Sequence, residues 1–102
     1  MATSPSIHTI AEISTIVAPI ARKHGVKRVA VFGSVARGEA HMNSDVDLCI
    51  DAGKIESLLG LIAFQLDVES ALNISVDIVT TDANDQEFLK RIKPDEVTIY
   101  EQ

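Results

Sequence analysis

Isoleucine and valine recur at steps of three and four near the start of the chain. Ile7, Ile10, Ile13, Ile16, Val17 and Ile20 make the one-sided stripe of an amphipathic helix, and Gly25 ends it. Pro19 falls inside that stripe, where a lost hydrogen bond and a ring clash cost about 3 kcal/mol in a straight helix, so the pattern predicts a kink or a restarted helix. Residues 1–6 are small and polar and predict a flexible end. "KRVAVFGS", residues 27–34, is a short β-branched run closed by glycine and predicts a buried strand. A glycine-rich turn follows, with a short helical turn over residues 34–38. In "SDVDLCID", residues 44–51, the alternation is strict: Val46, Leu48 and Ile50 face one way, Asp45, Asp47, Cys49 and Asp51 the other.

Residues 54–72, "KIESLLGLIAFQLDVESAL", place Leu58, Leu59, Ile62, Leu66 and Leu72 at helical spacing and predict a long helix despite Gly60. "ISVDIVTT", residues 74–81, alternates again, with Val76 and Ile78 opposite Asp77. A short helix opening near Asp82 is expected over 82–92, and "EVTIYE" reads as the last strand. The order helix, strand, turn, strand, helix, strand, helix, strand predicts the α/β class: a single domain over 1–102 with a mixed sheet and flanking helices.

Composition narrows the function. The chain has 102 residues, one core's worth, and a net charge of -6 that repels polyanions. Direct nucleic-acid binding is therefore not expected, and any phosphate ligand needs a local cation. The start lacks the basic and then unbroken apolar pattern of a secretory signal, and no run approaches the ~18 apolar residues of a membrane span. One cysteine, Cys49, allows no internal disulfide. The expected setting is cytoplasmic, with no membrane partner. Asn73-Ile74-Ser75 matches a glycosylation acceptor by composition only.

The aspartates carry the chemistry. Same-side residues on a strand lie ~6.6 Å apart and neighbouring strands ~4.8 Å apart, so Asp45, Asp47 and Asp77 converge if their strands pair. Two bare carboxylates ~5 Å apart at an effective dielectric of ~20 repel by roughly 3 kcal/mol, so something must offset them: a proton, a paired cation or a divalent metal. A few hard oxygen ligands that leave room for substrate phosphates suit Mg²⁺. A pair of Mg²⁺ ions so held would grip a nucleoside triphosphate and neutralise its leaving pyrophosphate. In that reading Asp45 and Asp47 hold metal, and Asp77 binds the metal nearer the acceptor and helps take its proton. Gly33 lets the backbone approach a phosphate, the Ser34 hydroxyl and turn N–H groups donate to it, and Arg37 supplies the missing cation.

Each piece also has a plainer reading. Asp45 alone is a common turn or cap residue. Asp51 and Asp67 read as solvated surface charges, His8, His24 and His41 as surface residues without ligand spacing, and Cys49 as small packing filler. Ser34 lacks a base partner and is a phosphate binder rather than a nucleophile.

The composite pattern is more specific than its parts. Gly33-Ser34, ten residues, Asp45-x-Asp47 and a third aspartate in "VDIV" resemble the signature of the DNA polymerase beta-like nucleotidyltransferase superfamily. The string "FGSVARGEAHMNSDVDLCID" is similar to the minimal nucleotidyltransferases, or MNT domains, over about residues 26–100. The resemblance implies a polymerase beta-like fold, Mg²⁺ dependence and ATP as donor of AMP. It also implies a separate helical partner, a HEPN-type ribonuclease toxin neutralised by AMP transfer to a tyrosine, and a hetero-oligomer as the assembly. By the same likeness Gly33 and Ser34 bind the triphosphate, Asp45 and Asp47 the metals, Asp77 is the third carboxylate, and Arg37 is the arginine after the turn. A non-catalytic antitoxin that covers its partner is the alternative, and a small-molecule transferase of the aminoglycoside type a further one.

Overall fold

The computed structural model describes residues 9–36, 45–81 and 86–102. Helix α1, Ile10–His24, opens on a capping box: the Thr9 hydroxyl accepts from the Glu12 N–H at 3.1 Å while the Glu12 carboxylate accepts from the Thr9 N–H at 2.9 Å. Gly25, in the left-handed region at φ 77°, closes it. Ile13, Val17 and Ala21 are fully buried along one side. The helix runs through Pro19 without restarting. Pro19 and Thr15, whose carbonyl the proline leaves without its helical donor, are both exposed, so water can take up the lost bond.

Strand β1, Arg28–Phe32, runs into a single helical turn α2, Gly33–Ala36, then comes β2, Val46–Asp51. Helix α3, Leu58–Leu72, crosses to β3, Val76–Thr80, then α4, Gln86–Ile92, a 3-10 turn and β4, Val97–Glu101. The sheet order is β3-β2-β1-β4, with β1 antiparallel to both neighbours and β2 parallel to β3. Parallel strands need a crossover, and α3 supplies it. The expected α/β architecture with a mixed sheet is the observed one.

Helices α1 and α3 cover one face of the sheet, closing a core of residues such as Val29, Val31, Leu48, Ile50 and Val76. On the other face a smaller cluster joins Phe32, Cys49 and Ile92 under Phe88 and Leu89 of α4, with Phe32 and Phe88 meeting edge to face at 6.3 Å. Burial, reinforced by the nearby Glu96 carboxylate and a hydrogen bond to it, pushes the Cys49 thiol up to about 11, against an opposing pull from Arg28. Far from the aspartates the two turns at the bottom of the sheet touch: Lys54 N–H donates to the Gly25 carbonyl at 2.9 Å, and a β-carbon on Gly53, at φ 60°, would collide with that carbonyl.

Three details depart from the pattern along the chain. α3 begins at Leu58, capped by Ser57, and not at Lys54. Its packed stripe is Phe64, Val68 and Leu72, while Leu58, Leu59, Ile62 and Leu66 stay exposed. A helix apolar on most sides does not announce which side is covered. His24 is no free surface residue: its Nε2 lies 2.7 Å from the Asp67 carboxylate and its ring meets Phe64 edge to face at 5.6 Å. That hydrogen bond holds the Asp67 carboxyl below its ordinary value, with Lys23 assisting and burial opposing. Among the described residues no helix is long and apolar enough to cross a membrane.

The packing fixes two outcomes. Phe64→Ala, in the core, is expected to lower unfolding free energy by about 3–5 kcal/mol in a urea titration, and Leu59→Ser by less than about 0.5 kcal/mol. Cys49 is expected to react with a disulfide reagent at pH 8 at least about 100-fold more slowly in the native protein than in guanidinium, since a thiol near 11 is only about one-thousandth thiolate there.

Candidate active site

Strand pairing decides which aspartates meet. In the parallel ladder Asp47 stands directly beside Asp77, and in the antiparallel one it stands opposite Phe32, the residue before Gly33. Register partners point to the same face, so Asp47 and Asp77 project together from the sheet on the side of Phe32 and Cys49. Their alternates Val46, Leu48 and Val76 are buried on the opposite face. The acidic pair thus shares its face with the small apolar cluster around Cys49 and Val79, while the main core lies on the other.

Gly33 completes the arrangement. Its φ is 76°, a region a side chain rarely tolerates, and an added β-carbon would run into Oδ2 of Asp47 and lie 3.2 Å from its Cγ. The glycine is there because the Asp47 carboxylate occupies the space a side chain would need. Ser34 follows within α2. Asp45 sits immediately before β2 and is exposed, Asp77 is exposed and Asp47 is half-buried.

The structure therefore brings together Gly33, Asp47 and Asp77, with Asp45 at the mouth of β2. Among the described residues no group of three or more histidine, cysteine, aspartate or glutamate side chains forms a metal cage. Arg37, His41 and Asp82 lie outside the described residues.

Sequence reasoning missed two features. The first is a brace on β3: Gln65 Nε2 donates to the Val76 carbonyl at 2.8 Å, and the Val76 N–H donates to Glu69 at 2.9 Å. Val76 precedes Asp77, and β3 is an edge strand, so these α3 side chains hold the backbone beside the acidic residue. Their i, i+4 spacing on α3 was the only trace of it. The second is a cleft of about 300 Å³ at the opposite end of this sheet face, lined by Arg28, Lys90 and Lys93 together with Glu96. Arg28 is already tied to Glu96 at 3.2 Å and to the Thr98 hydroxyl at 2.7 Å, so part of its charge is spent within the fold.

Known proteins share this framework. The family model described as polymerase beta, nucleotidyltransferase, matches residues 15–102. A Methanocaldococcus jannaschii protein provisionally named protein adenylyltransferase MJ0435 is 42% identical over 71 residues, covering 70% of this chain and 76% of that one. The protein adenylyltransferase MntA of Thermococcus cleftensis is 39% identical over 75 residues, with the same two coverages of 70% and 76%. Among solved structures, a minimal nucleotidyltransferase superposes with a TM-score of 0.77 at 30% identity, over 90% of this chain and 97% of that one. A toxin–antitoxin complex with AMP-PNP gives 0.76 at 19% identity, over 87% and 73%. A Shewanella oneidensis complex of a tri-AMPylated HEPN toxin with its MNT antitoxin gives 0.69 at 14% identity, over 88% and 71%, and these last two likenesses bear on the fold alone. With a family match over residues 15–102 and relatives at 42% and 39% identity, this chain belongs to the polymerase beta nucleotidyltransferase family.

Proposed function

We propose that this nucleotidyltransferase moves AMP from ATP to a hydroxyl, that of a tyrosine, on a HEPN-type ribonuclease toxin, and so acts as its antitoxin. The observation that carries the reading is the contact of Gly33 with Asp47 beside Asp77. A glycine shaped around one carboxylate, with a second carboxylate in register, is a fitting arrangement for a ligand bound through a divalent cation. The donor set is hard oxygen, and Mg²⁺ is commonly held by one or two carboxylates with substrate phosphates completing its shell, so a site without a three-residue protein cage fits it. Asp47 and Asp77 would hold Mg²⁺, whose charge would offset the triphosphate's, with Asp45 at the mouth of β2.

The remaining chemistry belongs to the chain. Gly33 lets the turn approach the phosphates, and Ser34 and the turn N–H groups donate to them. Asp77 accepts the proton of the acceptor hydroxyl as its oxygen bonds to the α-phosphorus, and the bond to the β-phosphate oxygen breaks to release pyrophosphate. The names of the adenylyltransferase relatives support AMP as the group transferred, and the toxin–antitoxin assemblies support the partner class. A covering antitoxin without catalysis would have no use for the Gly33–Asp47 fit.

The test uses ATP labelled at the α-phosphate, Mg²⁺ and a purified HEPN-type toxin. Label is expected on the toxin, reduced at least about 100-fold by Asp47→Asn or Asp77→Asn. Gly33→Ala is expected to abolish transfer and to destabilise the fold by about 1–2 kcal/mol in thermal unfolding. Neutralisation that persists in Asp47→Asn with no label transferred would favour covering instead.

A further inference from the structure

We infer that the outer face of α3 is the docking surface for the toxin, and that it receives a cationic amphipathic helix. The inference rests on the partner assigned above and deepens it. Leu58, Leu59, Ile62 and Leu66 are 71%, 79%, 39% and 58% exposed. At about 100° per residue they fall within one sector about 100° wide, turned away from the buried stripe of Phe64, Val68 and Leu72. A contiguous apolar strip of this kind on a small protein marks an interaction surface.

Charge selects the occupant. Residues 55–89 contain no lysine, arginine or histidine; Glu56 lies just before the strip and Glu69, which also accepts from the Val76 N–H, near its end, while the nearby cations Lys23 and His24 are paired with Asp67. A second copy laid antiparallel on this helix would bring Glu56 toward Glu69, like against like, in a chain whose net charge is already -6. An anionic membrane surface is disfavoured for the same reason, since helices that lie on membranes carry lysine and arginine on their polar side. A helix with apolar residues at i, i+3 or i+4 and i+7, flanked by basic residues, satisfies both the strip and its rim.

Backbone pairing argues against a strand in that place. The edge of β3 next to α3 is an open edge of the sheet, but at Val76 both its N–H and its C=O are taken by Glu69 and Gln65. An extended segment has no ladder to continue there, whereas a helix needs only the side chains of α3.

The test is calorimetric titration of the toxin into the full-length protein without ATP, comparing wild type with the Leu59→Ser/Leu66→Ser double variant. The variant is expected to bind at least about tenfold more weakly while keeping its melting temperature and its Mg²⁺-dependent binding of AMP-PNP. Glu56→Lys is expected to weaken binding and flatten its salt dependence. Undiminished affinity in the double variant overturns the docking surface and leaves the transferase reading intact. Weakened binding together with no label transfer by wild type upholds the surface and overturns the transferase. A wild type that binds no toxin overturns both. Dimers of the protein alone that the leucine changes dissolve would assign the face to a second copy, and leucine-dependent flotation with phosphatidylserine vesicles would assign it to a membrane; either overturns the inference.

Discussion

The parallel pairing of β2 with β3 is the constraint on which the site depends. It sets Asp47 beside Asp77 on adjacent strands, with both side chains on one face. The stability comes from the reverse side of the same strands. Val46, Leu48, Ile50 and Val76 are buried against α1 and α3, and sliding β3 by one residue would turn its apolar set out of that core. Hydrophobic burial thereby fixes the register that juxtaposes the two carboxylates.

Reading from the sequence succeeded where a period of two or a family pattern sufficed. The alternation in 44–51 separated Leu48 from Asp47 correctly, and the glycine at position 33 marked the turn. It failed where partners, and not faces, had to be chosen. A strand's alternation says nothing about which neighbour it will lie beside, so the exact opposition of Asp47 to both Phe32 and Asp77 became visible only with the sheet assembled. In α3 the difficulty was an excess of signal: leucines on one side and Phe64, Val68 and Leu72 on another both satisfy helical spacing, and only the packing of α1 distinguishes them. At Pro19 the helix continues without restarting, and the carbonyl freed by the proline belongs to an exposed residue, Thr15, which water can reach.

Helix α3 serves the molecule on three sides at once. One stripe closes the core, a flank bearing Gln65 and Glu69 braces the backbone next to Asp77, and the remaining surface stays apolar and open. The brace and the open surface thus share one element, which meets β3 through two hydrogen bonds at Val76.

The contact between Gly25 and Gly53 has a corollary for chain length. Where two backbone turns touch with no side chain between them, an inserted residue would have to part the Lys54 to Gly25 hydrogen bond before it found room. Lengthening either turn would cost the fold that hydrogen bond, so this end of the sheet resists insertion on packing grounds alone.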